Sequence, residues 1–129
     1  MRFLKEYVII IIILIFVIYI NYLTDKDLNE QINWMRDGII SIENKMTEDK
    51  KSEAEEEFNS LHSKWNDITE HLELFVDHSE LEKISSDIVK IDANLNVGED
   101  EELMENIYDL KFMLNHIEDK NKLKLKNFF

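Results

Sequence analysis

The chain has 129 residues, no proline, no cysteine and only two glycines, and its formal net charge is −13. A β-sandwich or barrel needs many tight turns built from glycine and proline, so this composition predicts an all-α protein. The negative charge disfavours binding to nucleic acid, because affinity for phosphate backbones comes largely from lysine and arginine. The lack of cysteine excludes disulfides, thiolate metal sites and cysteine nucleophiles.

The first predicted element is a transmembrane anchor over residues 1–24. The run from Phe3 to Leu23 is almost wholly apolar, and at ~1.5 Å per helical residue it matches a hydrocarbon core of ~30 Å. No Ala-x-Ala-like site follows it, so we expect a retained signal anchor and not a cleaved signal peptide. The positions that we assign to the span and its headgroup boundaries are Tyr7, Ile13, Tyr19 and Leu23.

Charges on the two sides of the anchor predict its orientation. Arg2 and Lys5 precede the span, and Asp25 and Asp27 follow it. Because positive residues are retained on the cytoplasmic side, we expect a single-pass cell-membrane protein with a cytoplasmic N-terminus and an extracytoplasmic C-terminal domain.

Residues 25–119 carry four apolar runs in which the spacing alternates between three and four residues. This spacing places each run on one stripe of a helix and predicts an up-down antiparallel bundle of about four helices after the anchor. No breaker separates the anchor from the first run, so the two are expected to be continuous. The predicted core residues are Phe58, Leu61, Trp65, Ile68, Leu72, Phe75, Leu81, Ile84, Ile88, Leu110, Leu114 and Ile117.

Start and stop signals separate the four runs. Thr47 or Ser52 could cap the second helix, and Ser79 with Glu82 has the spacing of a capping box for the third. Gly98 is expected to end the third helix. With an even number of helices, the C-terminal end of the domain returns to the membrane side of the bundle.

The last segment, residues 120–129, is a basic C-terminal tail. Leucine and phenylalanine are interleaved with the lysines, so we predict contact with anionic headgroups at about 1 kcal/mol per well-placed lysine. The alternative is that the lysines only favour the C-terminal dipole of the last helix. The predicted membrane-surface residues are Lys120, Lys122, Lys124 and Lys126.

Histidines beside carboxylates are the candidate sites for chemistry. His78, Glu80 and His116 are weak metal-site candidates, because the turn at Asp77–Glu80 is expected near the end of the fourth helix. The alternative is a set of surface hydrogen bonds. There is no HExxH motif, phosphate loop or dinucleotide fingerprint, so we predict no cofactor and no enzymatic activity.

Three segments carry a resemblance to a known family. The order of Phe75–Ile84, Leu110–Ile117 and the ending Leu123–Phe129 resembles the domain of unknown function 4363 family, small proteins of clostridia and bacilli. Glu118 stands where that family often has proline. The resemblance implies a Gram-positive origin, a single-span anchor, a helical extracytoplasmic domain, no assigned activity, and a membrane-protein partner.

The leading hypothesis is a non-enzymatic, membrane-anchored accessory subunit that binds the lipid bilayer through its anchor and a membrane or envelope protein through its bundle. The alternative is an extracytoplasmic ligand- or ion-sensing bundle, and a third reading is a cytoplasmic-facing scaffold with inverted topology. A homodimer through the narrow seam of residues 28–46 is also left open.

Overall fold

The structure of the chain, a computed structural model, describes residues 2–74 and 76–128, without the side chains of Arg2, Asp25 and residues 124–128. Four helices follow one another: α1 (Arg2–Thr47), α2 (Lys51–Leu72), α3 (His78–Val97) and α4 (Asp100–Phe128). The described residues contain no strand. The prediction of an all-α helical bundle is confirmed.

The chain divides into two compact units, Met1–Glu30 and Gln31–Phe129. In the first unit, α1 carries the apolar run, and its side chains are exposed throughout. Many of them are β-branched, a type that favours strands in water-soluble proteins. A helix nevertheless satisfies every backbone polar group within its own segment, as hydrocarbon requires. Helix α1 is long and apolar enough to cross a membrane, and none of its most apolar window is buried.

The second unit is a four-helix bundle in which neighbouring helices are antiparallel. Contacts between α1 and α4 show this directly, because Arg36 lies opposite Asn115 while Glu43 lies opposite the earlier residue Lys111. The remaining neighbours are joined by hydrogen bonds from Ser41 to Glu57 at 2.9 Å (α1–α2), from Trp65 to Ser85 at 3.0 Å (α2–α3) and from Asn106 to Asn94 at 2.7 Å (α3–α4). Helices α3 and α4 approach each other most closely.

The interior of the bundle is filled by the seams that the sequence pattern indicated. Ile32, Met35, Ile39 and Ile42 of α1 are buried with the predicted positions of the other three helices. Of the predicted core residues, only Phe75 lies outside the described residues. Each fully buried large side chain contributes roughly 1.5–3 kcal/mol relative to its exposed state. The α1 seam is therefore used within one chain, and a dimer through it would require the bundle to open.

The predicted caps of α2 and α3 are wrong. The N-cap position of α2 is Lys50, without a side-chain hydrogen bond. Thr47 instead donates to the carbonyl of Asn44 in the last turn of α1, at 2.8 Å. The N-cap position of α3 is Asp77, so Ser79 lies inside the helix and forms no capping box. A spacing rule identifies residues able to cap but does not determine which residue stands at the first turn.

Two residues with positive φ end α1 and α3. Gly98, the predicted stop, has φ 81°, and the N–H of Glu99 donates to the carbonyl of Asn94 at 3.1 Å. Asp49 takes the same role after α1 with φ 61°. There the N–H of Lys50 donates to the carbonyl of Lys45 at 2.8 Å. The α1 end has both hydrogen bonds of a Schellman motif, with the N–H of Asp49 donating to the carbonyl of Met46, whereas at the α3 end the N–H of Gly98 donates to the carbonyl of Asn94, the bond of the simpler αL motif.

Helix α4 continues to Phe128, so the basic segment from Lys120 onward begins within a helix. The predicted domain boundaries after residues 24 and 119 stay predictions.

Candidate functional site

The basic segment of α4 contacts the turn between α2 and α3. The ammonium of Lys120 lies 2.8 Å from a carboxylate oxygen of Asp77 and 3.2 Å from one of Glu80. These hydrogen bonds, the one to Asp77 foremost, raise the pKa of Lys120. Lys122 pairs with Glu118 at 3.2 Å. Exposed pairs of this kind contribute about 0–1 kcal/mol each, so neither lysine is strongly retained by its partner.

The side chains of Lys124 and Lys126 lie outside the described part of the chain. Contact between the four lysines and lipid headgroups stays a prediction.

The two histidines singled out in the sequence pair with different carboxylates. His116 of α4 lies 3.4 Å from Glu80 in the first turn of α3, so the residues that follow the α2–α3 turn do lie beside α4. His78 lies 2.9 Å from Glu82, one helical turn further along α3. In the described part of the chain, no group of three or more histidine and carboxylate side chains is arranged to hold a metal ion.

Ion pairs connect α1 to α4. Arg36 donates to the carboxylate of Glu118 and, at 2.8 Å, to the side-chain oxygen of Asn115. The hydrogen bond from Arg36 holds the pKa of Glu118 below its usual range. Lys111 pairs with Glu43 on the same interface, about two helical turns along α1 from Arg36. These contacts set the register in which α4 returns along α1.

A shallow groove of about 330 Å³ lies between α1 and α2, open to solvent and lined by Trp34, Asp37, Gly38, Glu57, Ser60 and Leu61. On one side, the ammonium of Lys64 lies 3.9 Å from the ring centre of Trp34, a cation–π distance. Gly38 allows the two helices to approach here, because a Cβ atom at this position would lie 2.9 Å from Cδ1 of Leu61.

Three polar residues are buried at the α3–α4 interface: Asp87, Asn94 and Asn106. The two asparagines bond to each other, whereas Asp87 is only 3% exposed and its Oδ2 has no hydrogen-bond partner among the described residues. Burial raises the pKa of Asp87, and the negative charge of Asp109 adds to the effect. Each of the three immediately precedes an apolar seam residue, which is the only sequence signal that they carry.

The outer face of α4 is a further feature that the seam pattern did not single out. Tyr108 and Phe112 are 67% and 61% exposed, one helical turn apart. Their signal in the sequence is an aromatic pair that lies off the seam formed by Leu103, Ile107 and Leu110.

The fold and its sites define an all-α bundle protein whose first helix includes a segment able to span a membrane. The family model described as domain of unknown function (DUF4363) matches residues 22–128, which is most of the chain, and the protein belongs to this family. The matched region begins near the end of the apolar run and covers the whole bundle. No curated protein and no solved structure matches the chain.

Proposed function

We propose that the protein is a non-enzymatic, membrane-anchored interaction protein, an accessory subunit whose bundle binds a membrane or envelope protein. The observation that carries this proposal is the exposed apolar part of α1, whose most apolar window has no buried share. Apolar surface left in water costs about 25 cal/mol per Å², so a stretch of this length is stable only when lipid covers it.

The bundle supports binding through its surface. Its interior is filled by large side chains such as Trp65, Phe58 and Met35, each at most 2% exposed. The charged side chains at the helix interfaces, Arg36 and Lys111 among them, are used to connect neighbouring helices. What the surface offers a partner is exposed apolar side chains, which are a feature of recognition surfaces, and acidic side chains that favour a partner of opposite charge.

Membrane insertion and orientation are tested with cysteine labelling, because the native chain has no cysteine. Glu6→Cys marks the N-terminal flank and leaves Arg2 and Lys5 in place, and Ser63→Cys marks an exposed position on α2. A membrane-impermeant maleimide added to intact cells is expected to label Ser63→Cys, and to label Glu6→Cys only after lysis. The reverse pattern would establish the cytoplasmic scaffold, and release of the chain by alkaline carbonate would overturn anchoring.

Binding to a membrane protein is tested by photo-crosslinking in intact membranes. A photoreactive amino acid placed at exposed positions on each of the four helices is expected to give a discrete product with one membrane protein from at least one face. If every position gives only the free chain, the proposal of an accessory subunit is wrong.

A further inference from the structure

We propose that the outer face of α4 is the docking surface for a basic amphipathic helix of the partner protein, with Tyr108 and Phe112 as its apolar anchors. This inference rests on the proposed function, since it assigns the surface and the chemistry of the partner. The outer face of α4 is defined here as Tyr108 and Phe112 with the carboxylates of Glu101, Glu105, Asp109 and Asp119.

Helical spacing places these residues together. Glu101, Glu105, Tyr108 and Phe112 follow one another at intervals of four, three and four residues, which is one stripe of a helix. The stripe points away from the bundle, because the buried residues of α4 lie on a different set of positions. Ile40 of α1 is 40% exposed and stands in the sequence between Arg36 and Glu43, the two α1 residues that pair with α4.

Tyr108 and Phe112 are left exposed on a helix whose apolar face is already buried. A single exposed apolar residue needs no explanation, but two aromatic residues one turn apart on one stripe form a patch. Tyrosine and phenylalanine are enriched at protein interfaces, because they bury a large area for the loss of few rotatable bonds.

The charges around the patch specify the partner. Within the described residues, none of the four carboxylates on the outer face is in an ion pair. The lysines on the two flanks of α4 are, in contrast, in ion pairs: Lys111 pairs with Glu43, and Lys120 pairs with Asp77 and Glu80. The outer face therefore presents uncompensated negative charge around aromatic rings.

Lysine or arginine beside an apolar residue complements such a surface, by ion pairing and by stacking on the rings. An anionic lipid surface would be repelled by the same carboxylates. A second copy of the chain is a poorer occupant, because it is itself acidic, with a formal net charge of −13, and would be repelled by the carboxylates of this face.

The first test uses the full chain in a non-ionic detergent and a fluorescent synthetic amphipathic helix made only of leucine and lysine. The double variant Tyr108→Ser, Phe112→Ser is expected to weaken binding at least about tenfold, the loss that removal of aromatic anchors produces. The matched control is Val89→Ser, Val97→Ser, which removes two exposed apolar residues from α3 and is expected to change binding by less than about twofold.

Neither double variant alters the net charge, so the comparison separates docking on this face from general attraction to an acidic protein. Binding that is unchanged in the aromatic variant, or lost equally in both, would overturn the inference. Thermal melts of both variants, followed by tryptophan fluorescence, show whether each bundle is folded.

The second test compares photo-crosslinking from position 112 with crosslinking from position 89 in native membranes. A partner product from 112 alone supports the inference. A product from 89 alone overturns it while the accessory-subunit function stands, and a product that contains only two copies of the chain also overturns it. No product from any face of the bundle removes the proposed function itself.

Discussion

Asp87 provides the sharpest test of how the bundle core is stabilised. Its carboxyl group is buried at the α3–α4 interface, and its Oδ2 lacks a hydrogen-bond partner among the described residues. An unsatisfied buried polar group costs about 1–3 kcal/mol, and more when it is charged. Asp87→Asn keeps the size of the side chain and removes the charge, and the two residues have similar helix propensity. Because the asparagine amide is still a polar group in the same place, the gain is only the extra cost of the charge, and we expect the variant to be more stable by about 1 kcal/mol at neutral pH.

The stability difference between Asp87→Asn and the native chain should change with pH, in a direction that follows from the pKa of Asp87. Burial raises the pKa of Asp87 above its ordinary value of 3.8. A folded state that binds the proton more tightly than the unfolded state loses stability as pH rises from the ordinary pKa through the raised one. The advantage of Asp87→Asn should accordingly be small below that interval, grow across it, and level off above it.

Tryptophan fluorescence is the suitable measurement, because Trp34 and Trp65 both lie in the bundle and do not report on the anchor. Thermal unfolding of the full chain in a non-ionic detergent is compared at pH values from strongly acidic to neutral. A gain of 1 kcal/mol raises the melting temperature by about 4–8 °C for a domain of this size. Asp119→Asn, an exposed change of the same charge on α4, is expected to stay within about 0.5 kcal/mol. Equal or lower stability of Asp87→Asn at neutral pH, or an advantage independent of pH, would refute the reasoning.

Three further changes test local features of the bundle. Gly38→Ala gains about 1 kcal/mol of helix propensity, but it places a Cβ 2.9 Å from Leu61, and overpacking costs about 1–3 kcal/mol. We therefore expect denaturant unfolding to show net destabilisation that is smaller in a Leu61→Ala background. A single variant more stable than the native chain would contradict this. Gly98→Ala puts a side chain at φ 81° and should cost about 1–2 kcal/mol, a loss measured in the same way and absent only if the turn rearranges. Glu118→Gln removes the carboxylate whose pKa Arg36 lowers. A lowered pKa stabilises the folded state at pH values above the ordinary pKa of 4.5. Urea unfolding should therefore show the variant less stable than the native chain at neutral pH, and the difference should vanish as the pH falls below 4.5. A difference that does not change with pH would argue against the Arg36 pair.

The same residues show why some features were predictable. Local periodicity assigned Phe58, Leu61 and Trp65 to one stripe of a helix, since 3.6 residues per turn determine which side chains share a face. Gly98 was identified as a stop because few residues other than glycine adopt a positive φ without strain. The family resemblance was likewise readable, because it rests on order and spacing in the chain.

Caps and ion pairs were less predictable. Thr47, Ser52 and Ser79 all have side chains able to cap a helix, but α2 and α3 begin at Lys51 and His78. The packing of the turns that precede these helices determines where each one begins. The pairing of Lys120 with Asp77 and Glu80, rather than with nearer carboxylates on its own helix, depends on how α4 is set against α3.

The sequence by itself determined that the chain is all-α, that its N-terminal helix is apolar enough to span a membrane, and which residues form the seams of the bundle. These properties depend on hydrophobicity and on spacing along a single helix. Only the tertiary structure decided that Asp87 is buried, because its burial depends on how α3 is rotated against α4. A residue one position off the seam lies at the edge of the apolar stripe, and the neighbouring helix determines whether that edge is covered.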